Sequence, residues 1–185
     1  MEIENLLTKI SDILENLKIP YIITGGMAVS VWGRPRYTAD IDIVVEIIPQ
    51  NINSLAKNLL SVDKDVYVSE DAIKEALKNE GEFNFIHPQS GLKVDFWVVK
   101  DNFEKSKIER GIYKKIDNKK IHFISPEDLI LSKLDWYKLT NSTRQLEDIK
   151  SVLKISKVDL KYIKNWAKKR STISILEDII KNIKK

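Results

Sequence analysis

The residues that most restrict how this chain can fold are Asp40 and Asp42, which open an apolar run of Ile41, Ile43, Val44 and Val45. In an extended strand alternate side chains share a face, so both carboxylates point the same way, about 7 Å apart along the backbone. Like charges so placed repel unless a cation lies between them, and aspartate is among the residues that strands least favour. Two readings of the pair follow. It is a divalent-metal site, or it is the polar start of a strand, with Asp40 capping the turn and Asp42 facing water. A Gly25-Gly26 pair precedes the aspartates across a short connection.

The pattern around them alternates between helical and strand periods. Ile3, Leu6, Leu7, Ile10, Ile13, Leu14 and Leu17 recur at helical spacing and predict an amphipathic helix closed by Pro20. Residues 21–24 read as a short buried strand, 27–32 as about two helical turns and 41–47 as a second strand ended by Pro49. Ile52, Leu55, Ala56, Leu59 and Leu60 mark a helix, 66–68 an edge strand, and Ser69 caps a helix through Leu77. Segments 83–87 and 92–99 alternate around the turn signal Pro88-Gln89-Ser90-Gly91 as a hairpin, and 112–116 with 119–124 make another across Asp117-Asn118. From Ser125 the chain turns helical: a capping serine, Pro126 at the first helical position and the acids Glu127 and Asp128 start the first of four helices, at 126–139, 143–155, 159–168 and 172–183. The expected fold is α/β (α+β): a mixed, mostly antiparallel sheet flanked by helices over residues 1–124, with a helical part over 125–185 packed on that core.

Composition narrows the chemistry. With 185 residues and 43% apolar content the chain can bury a real core, and without cysteine it has no disulfide, thiolate zinc site or cysteine nucleophile. The two histidines, His87 and His122, are far apart, so a hard, oxygen-liganded ion such as Mg²⁺ or Mn²⁺ suits this chain better than an imidazole site. Thirty-one Lys+Arg against 27 Asp+Glu give a net charge of +4, spread as dispersed lysines, which is weak support for a polyanionic partner. No apolar stretch approaches the roughly 20 residues that span a bilayer, and no signal pattern opens the chain. A cytoplasmic protein with no membrane partner is expected.

If the strand carrying Asp40 runs antiparallel to the one ending at Gly25, the glycines and the aspartates emerge at the same end of the sheet. Glycine then lets the backbone approach a phosphate, toward which the following helix directs N–H groups and its positive end. Asp95 supplies a third carboxylate: Val94, Phe96 and Val98 face the core, leaving Asp95 on the opposite, open face with Trp97. Two carboxylates holding Mg²⁺ beside a phosphate-binding helix start suit phosphoryl or nucleotidyl transfer, Asp95 helping to deprotonate an acceptor hydroxyl. As an alternative, Asp95 is an ordinary exposed strand residue.

These residues resemble the nucleotidyltransferase superfamily of DNA polymerase beta type, whose pattern is a glycine pair or Gly-Ser, an Asp-x-Asp and a later lone Asp, here Gly25-Gly26, Asp40-Ile41-Asp42 and Asp95. The run Gly-Gly-Met-Ala, Gly33, Arg36, Thr38 and Asp40-Ile-Asp42, followed by Ser125-Pro-Glu-Asp-Leu-Ile-Leu-Ser-Lys133-Leu and Arg144-Gln-Leu-Glu-Asp148-Ile, is similar to the AbiEii-like branch, which includes toxins of toxin-antitoxin systems. The resemblance implies Asp40, Asp42 and Asp95 as metal ligands, Gly25 and Gly26 as the phosphate loop, and Lys133 and Asp148 as catalytic, nucleotide-side residues of a helical part that closes over the nucleotide. It implies transfer of a nucleoside monophosphate from a nucleoside triphosphate to an RNA 3' end, a protein hydroxyl or a small molecule, releasing pyrophosphate, with a toxin or antitoxin as partner. Gly26 stands where many members have serine, so backbone N–H groups must replace a hydroxyl contact. The longer stretch from Gly26 to Asp40 makes room for Arg34 and Arg36, which could clamp phosphate oxygens or be merely solvated. Asp148 could equally pair with Arg144 on a helix surface.

Other chemistries fit less well. Asp40-Ile-Asp42-Ile-Val44 also matches a haloacid-dehalogenase-type signature, but reactive carboxylates of such parallel sheets follow an apolar strand. Here the hydrophobic run comes after Asp40. A calcium loop fails because alternate oxygen ligands stop after Asp42. A nucleotide-binding antitoxin or regulatory protein that has lost activity, or holds it conditionally, stays open, and retention of all three aspartates argues against it.

Overall fold

Leu6, Leu7, Ile10 and Leu14 line one side of the first helix, α1 (Ile3–Asn16), and all four are fully buried. The structure is a computed structural model that describes residues 1–183. After Pro20 the chain enters β1 (Tyr21–Ile23) and passes almost directly into α2 (Gly25–Trp32), which opens on the glycine pair. Next come β2 (Asp40–Val45), α3 (Ile52–Leu60) and α4 (Glu70–Asn79), the last started by Ser69, whose hydroxyl accepts from the Ala72 N–H at 3.2 Å. β3 (Glu82–His87) and β4 (Leu92–Val98) form the expected hairpin. α5 (Asn102–Glu109) precedes the second hairpin, β5 (Ile112–Ile116) and β6 (Lys119–Phe123), and α6 (Pro126–Thr140), α7 (Thr143–Ile155), α8 (Leu160–Lys169) and α9 (Ile173–Ile183) follow.

All six strands share one sheet in the order β3-β4-β2-β1-β6-β5. Within it β1–β2, β3–β4 and β5–β6 are antiparallel, whereas β2–β4 and β1–β6 are parallel. The mixed, mostly antiparallel α/β arrangement expected from the sequence is the one found. One face of the central strands is core: Ile41, Ile43, Val94 and Phe96 are fully buried. The alternate positions of β2 and β4 therefore lie on the other face, where the polar residues collect.

Two segments depart from the sequence pattern. Residues 66–68 make a single bridge, Tyr67 to Ile86, because Ser69 begins α4 at once and leaves no length for a ladder. The helix α5 is not announced by apolar spacing, since Phe103 and Ile108 are its only buried apolar residues and the buried Lys107 completes that side, its ammonium 4.8 Å from the Phe103 ring centre. Its start is nevertheless well capped, the Asp101 carboxylate accepting from the Glu104 N–H at 2.8 Å.

The chain forms two compact units, one of Met1–Met27 with Tyr37–Ile124, the other of Ala28–Arg36 with the residues from Ser125 onward. The first contains the whole sheet. In the second, Leu129, Ile130, Leu134, Ile149, Val152, Ile163, Ala167 and Leu176 from α6, α7, α8 and α9 form the buried centre. Among the described residues no helix is long and apolar enough to cross a membrane.

Candidate active site

The parallel register of β2 and β4 places Asp42 directly opposite Asp95 and Asp40 opposite Lys93. On its other side β2 runs antiparallel to β1, Ile23 pairing with Ile43, and the Thr24 N–H donates to the Asp42 carbonyl at 2.9 Å. Gly25, the next residue, thus leaves the sheet beside Asp42, as the antiparallel arrangement requires. Gly25 has φ +60°, and a Cβ built on it would run into the Asp42 side chain, 2.5 Å from Cγ. The glycine makes room for the carboxylate itself. Gly26 continues into α2.

Asp40 is exposed and Asp42 half-buried, but Asp95 is only 9% exposed, so it does not lie on an open face as the alternation suggested. It is enclosed, and its two oxygens differ. Oδ2 accepts the Lys93 ammonium at 2.9 Å, while Oδ1 is shut off from solvent without a hydrogen-bond partner. The Asp95 carboxylate raises the Lys93 ammonium above its ordinary range against partial burial, with smaller help from Asp40 and Glu82. Lys93 was not singled out in the sequence. Its place in the strand two residues before Asp95 is the available signal, but only the fold shows which carboxylate it meets.

A metal fits the donor chemistry of this corner. Its ligands would be hard carboxylate oxygens, one of them buried and unpartnered, and a cation is what an orphan carboxylate oxygen lacks. Among the described residues, no three Asp, Glu or His side chains are gathered as they stand into a group that could hold an ion. The Lys93 ammonium already brings a positive charge to Asp95.

The remaining sequence candidates lie in the second unit. There α6 presents Lys133 and α7 presents Asp148 from their buried sides, and the Lys133 ammonium reaches Asp148 Oδ2 at 2.9 Å. Arg36 grips the same carboxylate as a fork, Nε to Oδ1 and Nη2 to Oδ2, both at 2.9 Å. Burial would raise the Asp148 carboxyl, but Arg36 and then Lys133 more than reverse this and hold it below the usual carboxylate range. The expected Arg144 alternative is replaced by these two partners. Asp148 is 3% exposed, so two cations around one buried carboxylate leave a cluster of net positive charge. Arg34 has an exposed side chain, and its backbone N–H donates to Ser151 Oγ at 2.5 Å.

Asp42 and Asp95, far apart in sequence, are thus paired across β2 and β4, with Gly25 beside Asp42 where the chain leaves β1. The family described as "Nucleotidyltransferase of unknown function (DUF6036)" matches residues 1–184. The chain belongs to this family. No curated protein is similar enough in sequence to count as a relative. Among solved structures, this DUF6036 nucleotidyltransferase is similar to the antibiotic-resistance factor ANT(2'')-Ia, at 17% identity over 95% of each chain with a TM-score of 0.62. It is also similar to an antigenic nucleotidyltransferase-like protein from Paracoccidioides brasiliensis, at 18% identity over 92% of this chain and 89% of that one with a TM-score of 0.56. A third likeness is to the lincosamide antibiotic adenylyltransferase LnuA bound to lincomycin, at 17% identity over 84% of this chain and 98% of that one with a TM-score of 0.54. At such identities the likeness is one of fold.

Proposed function

We propose that this protein moves a nucleoside monophosphate from a nucleoside triphosphate to an acceptor hydroxyl and releases pyrophosphate, in a reaction dependent on Mg²⁺ or Mn²⁺. The observation that carries the reading is the pairing of Asp42 with Asp95 across β2 and β4, beside the glycine that makes room for Asp42. Asp40, Asp42 and Asp95 would hold the ion. Held by these carboxylates, a divalent ion would supply positive charge against the phosphates. Asp95 takes the proton of the acceptor hydroxyl as its oxygen bonds to the α-phosphorus, and the bond from that phosphorus to the bridging oxygen breaks toward pyrophosphate. Backbone donors at the start of α2, at Gly25 and Gly26, favour phosphate through the positive helix end. In the other unit, Arg36 and Lys133 are proposed as phosphate-side cations, with Asp148 a positioning residue that fixes both. Arg34 is proposed as a further phosphate contact.

The likeness to adenylyltransferases of antibiotics supports a small hydroxylated molecule as the first acceptor to test, ahead of an RNA 3' end or a protein hydroxyl. A second reading is a nucleotide-binding protein whose activity is silent or conditional, as an antitoxin or regulator of a toxin-antitoxin system would be. Two observations favour it: Lys93 holds Asp95, and among the described residues no three acidic or histidine side chains are gathered to hold an ion. Incubation with each labelled nucleoside triphosphate, Mg²⁺ and candidate acceptors, with Asp42→Ala as control, separates the two. Label transfer lost in Asp42→Ala is the expected result. Transfer that survives the substitution overturns the mechanism, and binding without transfer favours the regulatory reading.

A further inference from the structure

The row that contains Asp42 and Asp95 does not stop at β4. Across the β3–β4 hairpin Asp95 pairs with Asn84, so one line across the sheet reads Asp42, Asp95, Asn84. All three share a face, because the neighbours on either side of each (Ile41 and Ile43, Val94 and Phe96, Phe83 and Phe85) are buried on the core side. Two adjacent members of the row have the same defect. Asp95 Oδ1 and Asn84 Oδ1 are both closed to solvent, and neither has a hydrogen-bond partner. Two acceptors cannot satisfy each other, and the other Asp95 oxygen is already held by Lys93. What such a pair lacks is a cation or a strong donor.

A hydrated divalent ion offers both at once. It binds carboxylate oxygen directly and keeps several waters, whose polarised O–H groups need acceptors around them. We propose that Asn84 is a further residue of the cation site, its side-chain oxygen accepting a hydrogen bond from a water of the bound ion. The inference rests on the metal-dependent function proposed above. A neutral amide adds an acceptor without adding a third negative charge to the row. Sequence alone hides it, since in β3 Asn84 alternates with phenylalanines like any polar residue on an outer strand.

The test is Mn²⁺ binding to the full chain, followed by the electron paramagnetic resonance signal of free Mn²⁺, for the wild type, Asn84→Leu, Asn84→Asp and Asp42→Asn. Asn84→Leu is expected to bind Mn²⁺ about tenfold more weakly or worse, as is usual when an outer partner of a metal site is lost. Asn84→Asp, which keeps the shape and adds a charge, is expected to bind more tightly than the wild type. If both Asn84 variants bind Mn²⁺ as the wild type does, Asn84 stands outside the site. If Asn84→Asp binds more weakly, its amide nitrogen serves Asp95 and the proposal is wrong. If the wild type binds no Mn²⁺, or Asp42→Asn binds it as the wild type does, the cation site itself fails and Asn84 with it.

Discussion

Gly25→Ala is the substitution in which fold and site are most tightly joined. Gly25 sits at φ +60°, where an alanine costs about 1–2 kcal/mol. The added Cβ would meet the Asp42 side chain, 2.5 Å from Cγ and 2.8 Å from Cβ, so Asp42 must leave its rotamer. That displacement adds about 0.5–1.5 kcal/mol. Alanine also narrows the unfolded ensemble, which returns about 0.4–1 kcal/mol. The net loss is about 0.5–3 kcal/mol, which at roughly 2–4 °C per kcal/mol for a chain of this size lowers Tm by about 1–12 °C. Gly91→Ala is the matched control. Gly91 has φ +67° but no atom within 4 Å of an added Cβ, so it carries the backbone strain without the collision. Thermal unfolding of both variants, with and without Mn²⁺, isolates the Asp42 contribution. Gly25→Ala should fall further and lose its Mn²⁺-linked stabilisation, while Gly91→Ala keeps it. Equal losses, with Mn²⁺ stabilisation intact in both, would refute the idea that Gly25 exists to seat the Asp42 carboxylate.

Asp148→Ala leaves Arg36 and Lys133 facing each other without their buried carboxylate, and should lower urea-unfolding stability at pH 7 by about 3–5 kcal/mol. Because the folded Asp148 carboxyl lies below its unfolded value of about 4, its contribution is complete above that pH and is lost as pH falls through the lower folded value. The wild-type advantage over Asp148→Ala should thus be flat from pH 7 to about 5 and narrow below about 4. A constant gap down to acid pH would show that charge is not what Asp148 contributes. Ser125→Ala removes the cap of α6, where the hydroxyl accepts from the Asp128 N–H and donates to the buried Asp128 Oδ2, both at 3.1 Å; chemical denaturation should register a loss of about 1–2 kcal/mol. Tyr162→Phe takes away the 2.8 Å hydrogen bond to Asp128 Oδ1 and should lower stability by about 1 kcal/mol in the same assay.

Local pattern carried most of the architecture. The apolar spacing of α1 and α3, the alternation in the hairpin arms and the Ser125-Pro126 start can each be read within one or two turns of chain, because periodicity and capping are short-range properties. Where neighbours in space replace neighbours in sequence, the pattern fell silent. α5 went unannounced because Lys107, a residue counted as polar, lays its stem in the core side. Residues 66–68 had strand composition, yet they find a partner for only one bridge.

The same division runs through the site. Sequence by itself determined which donors the chain has to offer: three aspartates, no thiolate and a glycine pair. Only tertiary structure decided which residues meet, since strand register is set by long-range pairing and a shift of one residue would turn Asp42 and Asp95 to opposite faces. It gave Asp95 an enclosed position with Lys93 on one oxygen, set Asn84 beside it, and joined Arg36 to Asp148 across 112 residues of chain. Coulomb and hydrogen-bond energies depend on distance in space. No spacing along the chain reports that distance until the sheet and the helical unit have formed.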